Sequence, residues 1–360
     1  MSFERHLPYN DLPELPPAVD LESVAILKHV IAASRALERL RGTSARLPNP
    51  RVLINGIVLQ EARLSSEVEN IVTTNDELYR AAAAADGATD PATKEVLRYR
   101  EALWYGFDQI SKRPLSPSLF VELVGIIRQT SAGVRSTPGT NLKSSLGEVI
   151  YTPPEGDTLL QAKLTNLTDY IHAEDMVEPL VKLAVMHYQF EAIHPFTDGN
   201  GRTGRILNIL YLVQKGLLDL PVLYLSHYIL RNKAAYYAGL RGVTEQGDWN
   251  SWVIFTLKAV EETSQETCRL IETLLRLMDE ARVLFRASYP NAYSKDLIEA
   301  IFSNPYCRIR FIEQALDVSR PTASGYLQKL RELGLLHEIR VGRDVYYVNE
   351  KMLAALNTSR

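Results

Sequence analysis

The amino-acid sequence predicts a mainly α-helical protein with one small β-hairpin and a separate C-terminal group of short helices. Three observations lead to this fold class. Apolar residues recur at helical spacing over most of the 360 residues. A stretch rich in Gly and Pro, residues 131–156, interrupts this pattern with a β-prone run. Beyond residue 291, three short helical segments are followed by the alternating pattern of a hairpin.

Composition excludes several classes of protein. Hydrophobic residues make up 46% of the chain and charged residues 23%, which are the proportions of an ordinary globular protein. The net charge of −3 implies no general attraction to nucleic acid or to a membrane surface. The two cysteines, Cys268 and Cys307, suggest neither a disulfide framework nor a zinc site. The first residues lack the apolar core of a secretory signal, and no apolar run reaches the roughly 18 residues of a membrane span. We therefore expect a cytoplasmic protein without a membrane partner.

The N-terminal region, residues 1–110, is predicted to be helical. After a Pro-rich lead-in, Asp20 is a good N-cap for a helix that runs to about Arg41. A loop with a helix cap is expected over residues 86–95, and a further helix from there to about residue 111. Between the first helix and this loop, one apolar stripe keeps helical spacing. It consists of Leu53, Ile57, Leu64, Val68 and Ile71.

The central region, residues 111–287, combines helices with the β-prone stretch. Residues 149–152 precede two consecutive prolines, which predicts a short hairpin, or flap, between helices. Two strongly apolar helical patterns follow, one ending at Ile193 and the next beginning near Gly201. Pro195 cannot continue the first of them, so the residues in between are predicted to form a loop between two buried helices.

The C-terminal region, residues 292–360, follows a linker at residues 288–291. Helices are predicted near residues 295–302, near 310–316 and from about 321 to 333, and a hairpin is predicted around Gly342. Helix, helix, helix and hairpin is the order of a winged helix-turn-helix.

Two roles are open for this predicted winged helix. Arg320, Lys329 and Arg331 on its recognition segment, and Arg340 and Arg343 on its hairpin, suit contacts with DNA phosphates and bases. The segment from 295 to 350 nevertheless balances its basic and acidic side chains, whereas strong DNA binding usually needs a basic face. Docking of a protein or dimerisation, including a homodimer, is therefore favoured over DNA.

One twelve-residue segment, HPFTDGNGRTGR at 194–205, concentrates residue types that bind phosphate. It leads into the N-terminus of a helix, where unpaired N–H groups and a partial positive charge face an anion. Gly199 and Gly201 have no Cβ, so phosphate oxygens can approach the backbone. Arg202 and Arg205 are three residues apart in the first helical turn, so both can point towards the same anion.

The remaining polar residues of the segment suit catalysis on a nucleotide. Asp198 is a hard oxygen ligand suited to Mg²⁺, Asn200 is a neutral donor, and His194 can accept a proton near neutral pH. An ordinary capped loop with surface ion pairs would explain GNGR alone, but not all of these positions together. The segment is not a Walker A loop, because no Gly-Lys-Ser/Thr follows.

The segment resembles the motif HPFx[D/E]GNGRxxR of the Fic family at every specified position. The resemblance extends over about residues 10–285 and includes the Arg135-x-x-Pro138-Gly139 stretch and the flap. It implies a Fic-type helical core. Members with a complete motif are mostly protein adenylyltransferases, which move AMP from ATP to a Ser, Thr or Tyr hydroxyl of a target protein, in some cases the enzyme itself.

The resemblance also implies roles for individual residues. His194 deprotonates the target hydroxyl, and Asp198 holds Mg²⁺. ATP and its phosphates are bound by Gly199, Asn200, Gly201, Arg202, Thr203, Gly204 and Arg205. The target backbone pairs with the flap residues Val149, Ile150, Tyr151 and Thr152. Tyr236 and Tyr237 match an aromatic pair near the adenine, although a tyrosine pair on a helix also serves for packing.

The segment LSSEVENI resembles the inhibitory motif [S/T]xxxE[G/N] of the family through Ser65, Glu69 and Asn70. Ser65 and Glu69 are four residues apart and therefore share one helix face. The resemblance implies that Glu69 pairs with Arg205 in the place of the γ-phosphate, and in some relatives the same Glu supports removal of AMP. Alternatively, the residues from Ser66 to Glu69 match a capping box that begins a new helix.

Two functions from different classes follow. The first is a Mg²⁺-dependent, self-inhibited protein adenylyltransferase. The second is a transcription regulator whose Fic core only senses a nucleotide and whose winged helix binds DNA. The intact His194 favours the enzyme, because a sensor needs the phosphate-binding loop but no base.

Overall fold

A computed structural model describes residues 3–83, 90–144 and 146–357. The described chain is mainly helical with two small antiparallel sheets, as predicted. It forms two compact units. The first unit comprises Met1–Glu38 and Arg98–Thr263, and the second comprises Arg39–Leu97 and Ser264–Arg360.

The elements follow in chain order. The N-terminal region contains α1 (Val24–Ser44), α2 (Pro50–Leu53), α3 (Asn55–Val68), α4 (Asn75–Ala83) and α5 (Pro91–Ile110). The central region contains α6 (Pro117–Arg128), β1 (Leu142–Lys143), β2 (Val149–Tyr151), α7 (Asp157–His172), α8 (Pro179–Ile193), α9 (Asn200–Gln214), α10 (Leu225–Arg231), α11 (Lys233–Gln246) and α12 (Trp249–Ser288). The C-terminal region contains α13 (Lys295–Ile301), β3 (Tyr306–Cys307), α14 (Ile309–Leu316), α15 (Arg320–Glu332), β4 (His337–Val341), β5 (Asp344–Val348) and α16 (Glu350–Asn357).

The two units differ from the three consecutive regions expected from the sequence, 1–110, 111–287 and 292–360. Residues 39–97 belong to the same unit as the C-terminal region, and the first 38 residues belong with the central region. A helical pattern shows where a segment ends, but not which segments pack together, so the three consecutive regions stay a prediction.

The first helix begins later than predicted. Asp20 accepts a hydrogen bond from the Glu22 amide (2.8 Å), which closes a local turn, whereas Ser23 Oγ accepts from the Ile26 amide (3.3 Å) just ahead of α1. The expected loop from residue 86 falls partly on residues 84–89, which lie outside the described part of the chain. The cap at its end is present, because Asp90 accepts a hydrogen bond from the Thr93 amide (2.8 Å).

The core of the first unit lies around α8 and α9, which pack against each other. Almost every residue of α8 is buried, which is typical of a central helix. Helix α5 approaches α9 closely at Gly106, where an added Cβ would lie 2.5 Å from Leu210 Cδ1. The predicted flap is confirmed as an antiparallel pair, with Leu142 opposite Tyr151 in β1 and β2. The loop between α8 and α9 is therefore held by two buried helices.

The second unit contains the predicted C-terminal helices and hairpin. Its three-stranded sheet has the order β3-β5-β4, and β4 and β5 pair antiparallel from His337↔Val348 to Val341↔Asp344. Gly342 at the hairpin turn has a φ of 60°, a conformation that favours glycine. Strand β3 and helix α16 were not predicted. No helix in the described ranges is long and apolar enough to span a bilayer.

Candidate active site

The predicted loop lies between the end of α8 and the start of α9. His194 follows α8 directly and has a left-handed backbone conformation (φ 48°, ψ 59°). Gly199 precedes α9 with a φ of 83°. For a residue other than glycine the left-handed conformation costs about 1–2 kcal/mol, so contacts elsewhere must hold His194 in place.

The guanidinium group of Arg135 supplies these contacts. Its Nε donates to the carbonyl of His194 (2.8 Å), and Nη2 donates to the carbonyl of Ile193 (3.3 Å) and to that of Pro154 after the flap. The backbone N–H of Arg135 donates to the carbonyl of Pro195 (2.9 Å). The carbonyls at the end of a helix lack intrahelical partners, and Arg135, which is 4% exposed, satisfies several of them at once.

Arg135 is a site residue whose role in holding the loop could not be inferred from the sequence. Its signal was its position in the stretch that resembles the Fic family, well before the loop in the sequence. Burial lowers the pKa of the Arg135 guanidinium, while the charge of Glu155 acts in the opposite direction.

The side chain of Asn200 closes the loop from inside. Its Oδ1 accepts a hydrogen bond from the Phe196 amide and its Nδ2 donates to the Phe196 carbonyl, both at 2.8 Å. Asn200 is buried. The side-chain amide expected to donate to a phosphate is therefore committed to the loop, and a contribution of Asn200 to anion binding would come from its backbone.

Besides Arg135, three guanidinium groups belong to the loop and its surroundings. Arg202 and Arg205 on α9 are each 1% exposed. Asp198 lies 2.9 Å from Arg128 Nη2 and 3.7 Å from Arg202 Nη2, and its side chain is 54% exposed. Arg128, the last residue of α6, was not predicted as a site residue. The loop thus combines an exposed carboxylate with buried positive charge, a composition suited to a polyphosphate and its metal ion.

The glycines of the loop are required for different reasons. A Cβ on Gly199 would lie 3.2 Å from Val124 Cγ2, and the positive φ also favours glycine there. A Cβ on Gly204 would lie 2.6 Å from Glu191 Oε1, so this residue must be small to pack against α8. Gly201 is half-buried in the first turn of α9, and Thr203 is fully buried. Of the residues predicted to bind phosphate, Thr203 and Gly204 therefore also serve helix packing.

The tyrosine pair divides between core and surface. Tyr236 is buried, and its hydroxyl lies 2.9 Å from His187 Nε2. The His187 ring stacks on Trp252, with centroids 5.9 Å apart. Tyr237 is 38% exposed. Packing thus explains Tyr236, and only Tyr237 keeps the exposed ring that an adenine would need.

His187, like Arg128, is a residue near the site that the sequence pattern did not reveal. It lies on α8, seven positions before His194, inside an apolar run that predicted only core. Burial, and to a smaller extent the charge of Arg205, lowers its pKa to about 3. His187 is therefore neutral at physiological pH and is not a proton carrier.

The flap is tied to the end of α8. Tyr151 Oη donates to the carbonyl of Ala192 (2.8 Å), two residues before His194, and Tyr151 and Thr152 are both buried. Val149 and Ile150 are half-buried. The side chain of Tyr151 thus faces inward, and target docking through the backbone of β2 stays a prediction.

An N-terminal arm, residues 3–17, holds the end of the flap. The Tyr9 amide donates to the carbonyl of Thr152 (3.0 Å), and Thr152 Oγ1 donates to the carbonyl of Arg5 (2.7 Å). Asn10 Oδ1 accepts from the Glu155 amide (2.9 Å). The arm, the flap and the end of α8 therefore form one connected group of hydrogen bonds around the loop.

The predicted inhibitory residues lie at the end of α3 in the second unit. Ser65 is buried within the helix, Glu69 is its exposed C-cap, and Asn70 has a positive φ of 62°. Because α3 continues through Ser66, no new helix starts there, and the alternative of a capping box is wrong.

Comparison with known sequences agrees with these features. Residues 27–108 match the profile described as Fic/DOC family N-terminal, and residues 114–212 match the Fic/DOC family profile. Residues 277–352 match the C-terminal domain of SoFic-like protein adenylyltransferases.

Relatives of known name are protein adenylyltransferases. The protein adenylyltransferase of Caenorhabditis elegans is 31% identical over 127 residues, which cover 34% of this chain and 23% of that protein. A probable protein adenylyltransferase of Aquifex aeolicus is 35% identical over 82 residues, 23% of each chain. The matched segments thus span less than a quarter of these relatives.

Two solved structures share the fold. A Fic family protein of Desulfovibrio desulfuricans has a TM-score of 0.59 at 20% identity, covering 92% of this chain and 97% of that one. Fic-1 of Caenorhabditis elegans has a TM-score of 0.52 at 21% identity, covering 69% and 74%. With its intact HPFTDGNGRTGR loop between two buried helices and its matches to both Fic/DOC profiles, this chain belongs to the Fic/DOC family.

Proposed function

We propose that this chain is a protein adenylyltransferase that transfers AMP from ATP to a Ser, Thr or Tyr hydroxyl of a protein. The observation that carries the proposal is the loop itself. A histidine held in a fixed backbone conformation by Arg135 precedes a helix N-terminus with two buried arginines. The names of the relatives support the same reaction.

In this reaction His194 takes the proton of the target hydroxyl. The hydroxyl oxygen attacks the α-phosphorus of ATP in line, the new O–P bond forms, and the bond to the β-phosphate breaks with release of pyrophosphate. Arg202 and Arg205 bind the β- and γ-phosphates, and the N-terminus of α9 adds a partial positive charge. Positioning and charge neutralisation supply most of the catalysis in phosphate chemistry, which agrees with so rigidly built a loop.

The loop fits a magnesium ion that binds together with the nucleotide. Among the described residues no group of three or more His, Cys, Asp and Glu could form a metal site on its own. Mg²⁺ commonly uses one or two carboxylates and completes its shell with water and substrate phosphates, and Asp198 is such a carboxylate. The ion would neutralise phosphate charge. Tyr237 is the residue that we assign to the adenine.

We further propose that Glu69 inhibits the enzyme by pairing with Arg205. The carboxylate would occupy the place of the γ-phosphate and remove part of the anion-binding charge. Because an ion pair is broken when one side chain is displaced, the inhibition would be reversible. Whether the same carboxylate supports removal of AMP is a second question for the same variants.

The C-terminal region is best interpreted as a winged helix that binds protein rather than DNA. Two of its cations are engaged locally: Arg331 pairs with Glu338 (2.7 Å), and Lys329 lies over the ring of Tyr289 in the linker (5.4 Å to the centroid). A basic face for DNA is therefore weak. No observation favours the alternative of a nucleotide-sensing transcription regulator.

The test compares AMP incorporation by wild type, Glu69→Gly and the double variant Glu69→Gly/His194→Ala, each with Mg²⁺ and ATP. We expect the Glu69→Gly variant to label itself or lysate proteins more strongly than wild type. The double variant should lose this labelling by about 10²-fold or more, because it lacks the base. Equal labelling of all three proteins would contradict both the catalytic and the inhibitory proposal.

A further inference from the structure

The inhibitory helix α3 packs against the last helix of the chain. Gly56, in the first turn of α3, faces two apolar side chains of α16: an added Cβ would lie 3.3 Å from Leu356 Cδ1 and 3.4 Å from Met352 Cε. Met352 and Leu356 are both buried. The absence of a side chain at Gly56 thus lets the C-terminal helix approach the inhibitory helix closely.

Helix α4 connects the same two parts by hydrogen bonds. Tyr306 Oη, on β3, donates to Asp76 Oδ1 (2.7 Å). Asn304 Nδ2 donates to the carbonyl of Tyr79 (3.3 Å), and Asn75 Nδ2 donates to Asn357 Oδ1 at the end of α16. Three residues of α4 therefore bind three residues of the C-terminal domain.

The inhibitory helix in turn holds α4. Gln60 Nε2, in the middle of α3, donates to the hydroxyl of Tyr79 and lies 3.3 Å from Asn75 Oδ1. At the N-terminal end of α3, Asn55 Nδ2 donates to the carbonyl of Ser303 (3.4 Å). Helix α3 thus reaches the C-terminal domain directly through α16 and Ser303, and indirectly through α4.

The length of α3 shows why these contacts matter. An isolated helix of 14 residues is marginal in water, so its order comes from packing. Within the second unit, the contacts described above join the N-terminal half of α3, at Asn55, Gly56 and Gln60, to the C-terminal domain or to α4. Because α3 runs without a break from this half to its C-cap Glu69, the position of Glu69 depends on the C-terminal domain.

We propose that the C-terminal domain is the scaffold that positions the inhibitory helix, so that loosening this domain from α3 and α4 weakens inhibition. The inference rests on the inhibitory role of Glu69 proposed above. It gives the domain a regulatory role within the chain, because a protein bound to the domain would change inhibition by shifting α3. Glu69 is the positioned group, and Tyr306, Leu356 and Asn357 are positioning residues.

Two variants test the interface with different severity. Tyr306→Phe removes the hydrogen bond to Asp76 and keeps the ring in the core. Leu356→Ala removes the side chain that faces Gly56. Arg343→Ala, at the exposed hairpin turn of the same domain, serves as the control. AMP incorporation is measured together with hydrogen–deuterium exchange over residues 55–69 in the full chain.

We expect faster exchange over residues 55–69 in both interface variants and unchanged exchange in Arg343→Ala. Incorporation should rise roughly 2- to 10-fold in Tyr306→Phe, the range given by the loss of one hydrogen bond. Adding Tyr306→Phe to Glu69→Gly should raise incorporation no further, because both changes act through the same carboxylate.

Three outcomes distinguish this inference from the proposed function. Unchanged exchange over 55–69 in both interface variants overturns the scaffold. Faster exchange with wild-type incorporation, while Glu69→Gly is activated, also overturns it, because α3 would then be loosened without effect on inhibition. If Glu69→Gly itself is not activated, the proposed inhibition fails, and the exchange measurement alone still decides whether the C-terminal domain orders α3.

Discussion

The arginines of the loop region are buried, whereas arginines of the C-terminal domain are exposed to solvent. Arg135, Arg202 and Arg205 are buried to at least 96%. Arg331 and Arg340 of the C-terminal domain have side chains that are 46% and 78% exposed, and both lie near Glu338. Burying a guanidinium is expensive unless its hydrogen bonds are satisfied, whereas an exposed ion pair contributes little.

The difference shows in which region the fold holds charged groups in a fixed arrangement. Around the loop, buried cations and backbone carbonyls are arranged in one conformation, which suits binding and chemistry on an anion. In the C-terminal domain, Arg331 and Arg340 lie near Glu338, and the contacts with α3 and α4 are hydrogen bonds and apolar packing, which suits a scaffold. Substitutions in the first region should therefore have large effects, and equivalent substitutions in the second should have small ones.

The largest effect is expected at Arg135. Arg135→Lys keeps the charge but cannot reproduce the fork that reaches the carbonyls of Ile193, His194 and Pro154. Loss of two such charge-assisted hydrogen bonds should destabilise the protein by about 3 kcal/mol or more. Thermal unfolding and AMP incorporation should both fall. An unchanged unfolding midpoint would show that Arg135 does not hold the loop.

A smaller, pH-dependent effect is expected at His187. Its pKa is depressed to about 3 in the folded chain, so the unfolded chain binds a proton more readily, and stability is lost as pH falls below the unfolded value of about 6.5. At pH 5 the loss is about 2 kcal/mol. His187→Gln should flatten the decline of the unfolding midpoint between pH 7 and 5.

The control for this pH dependence is an exposed histidine, His6. His6→Gln should leave the decline with pH as steep as in wild type. Equal slopes for wild type and His187→Gln would contradict a neutral, buried His187.

A third effect, smaller again, concerns the N-terminal arm. Asn10→Ala removes the acceptor for the Glu155 amide just after the flap. We expect faster amide exchange around residues 150–156 and a rise of about 2- to 5-fold in KM for a protein target, with ATP binding unchanged, because one hydrogen bond is lost. Asn141→Ala is the matched control, since Asn141 Nδ2 donates to the nearby Gly139 carbonyl (3.3 Å) and not to the segment after the flap. Equal exchange in both variants would show that the N-terminal arm does not hold the flap.

The smallest effect is expected in the C-terminal domain. Arg331→Ala removes a half-exposed ion pair with Glu338, worth about 0–1 kcal/mol. Neither AMP incorporation nor retention on DNA at moderate salt should change measurably. A clear loss of DNA retention would show that the domain binds nucleic acid and would end the contrast between the two regions.

The loop was predictable from the sequence because its information is local. Pro195 ends α8, and Gly199 allows the turn into α9, so motif and position could be inferred together. The role of Asn200 was not predictable, because its bonds to Phe196 depend on the folded path of the loop. Arg135 reaches the loop from another part of the chain. The spacing of apolar residues does not show which distant residue will be buried beside the loop or which carbonyls it will bind.

Which segments pack together could not be predicted from the sequence either. The spacing of apolar residues located α3 and the C-terminal helices, but the contact of Gly56 with Leu356 joins residues at opposite ends of the chain. Helix α16, which makes that contact, was not predicted at all. Local patterns therefore showed the parts of this protein, whereas their association required the structure.

The most direct test of the central claim uses ATP labelled at either the α- or the γ-phosphate with the Glu69→Gly variant. An adenylyltransferase leaves the α-phosphate on protein and releases the γ-phosphate in pyrophosphate. We therefore predict protein-bound label from α-labelled ATP only, and none from either form once His194→Ala is added. Protein-bound label from the γ-position, or α-label that persists without His194, would contradict the account.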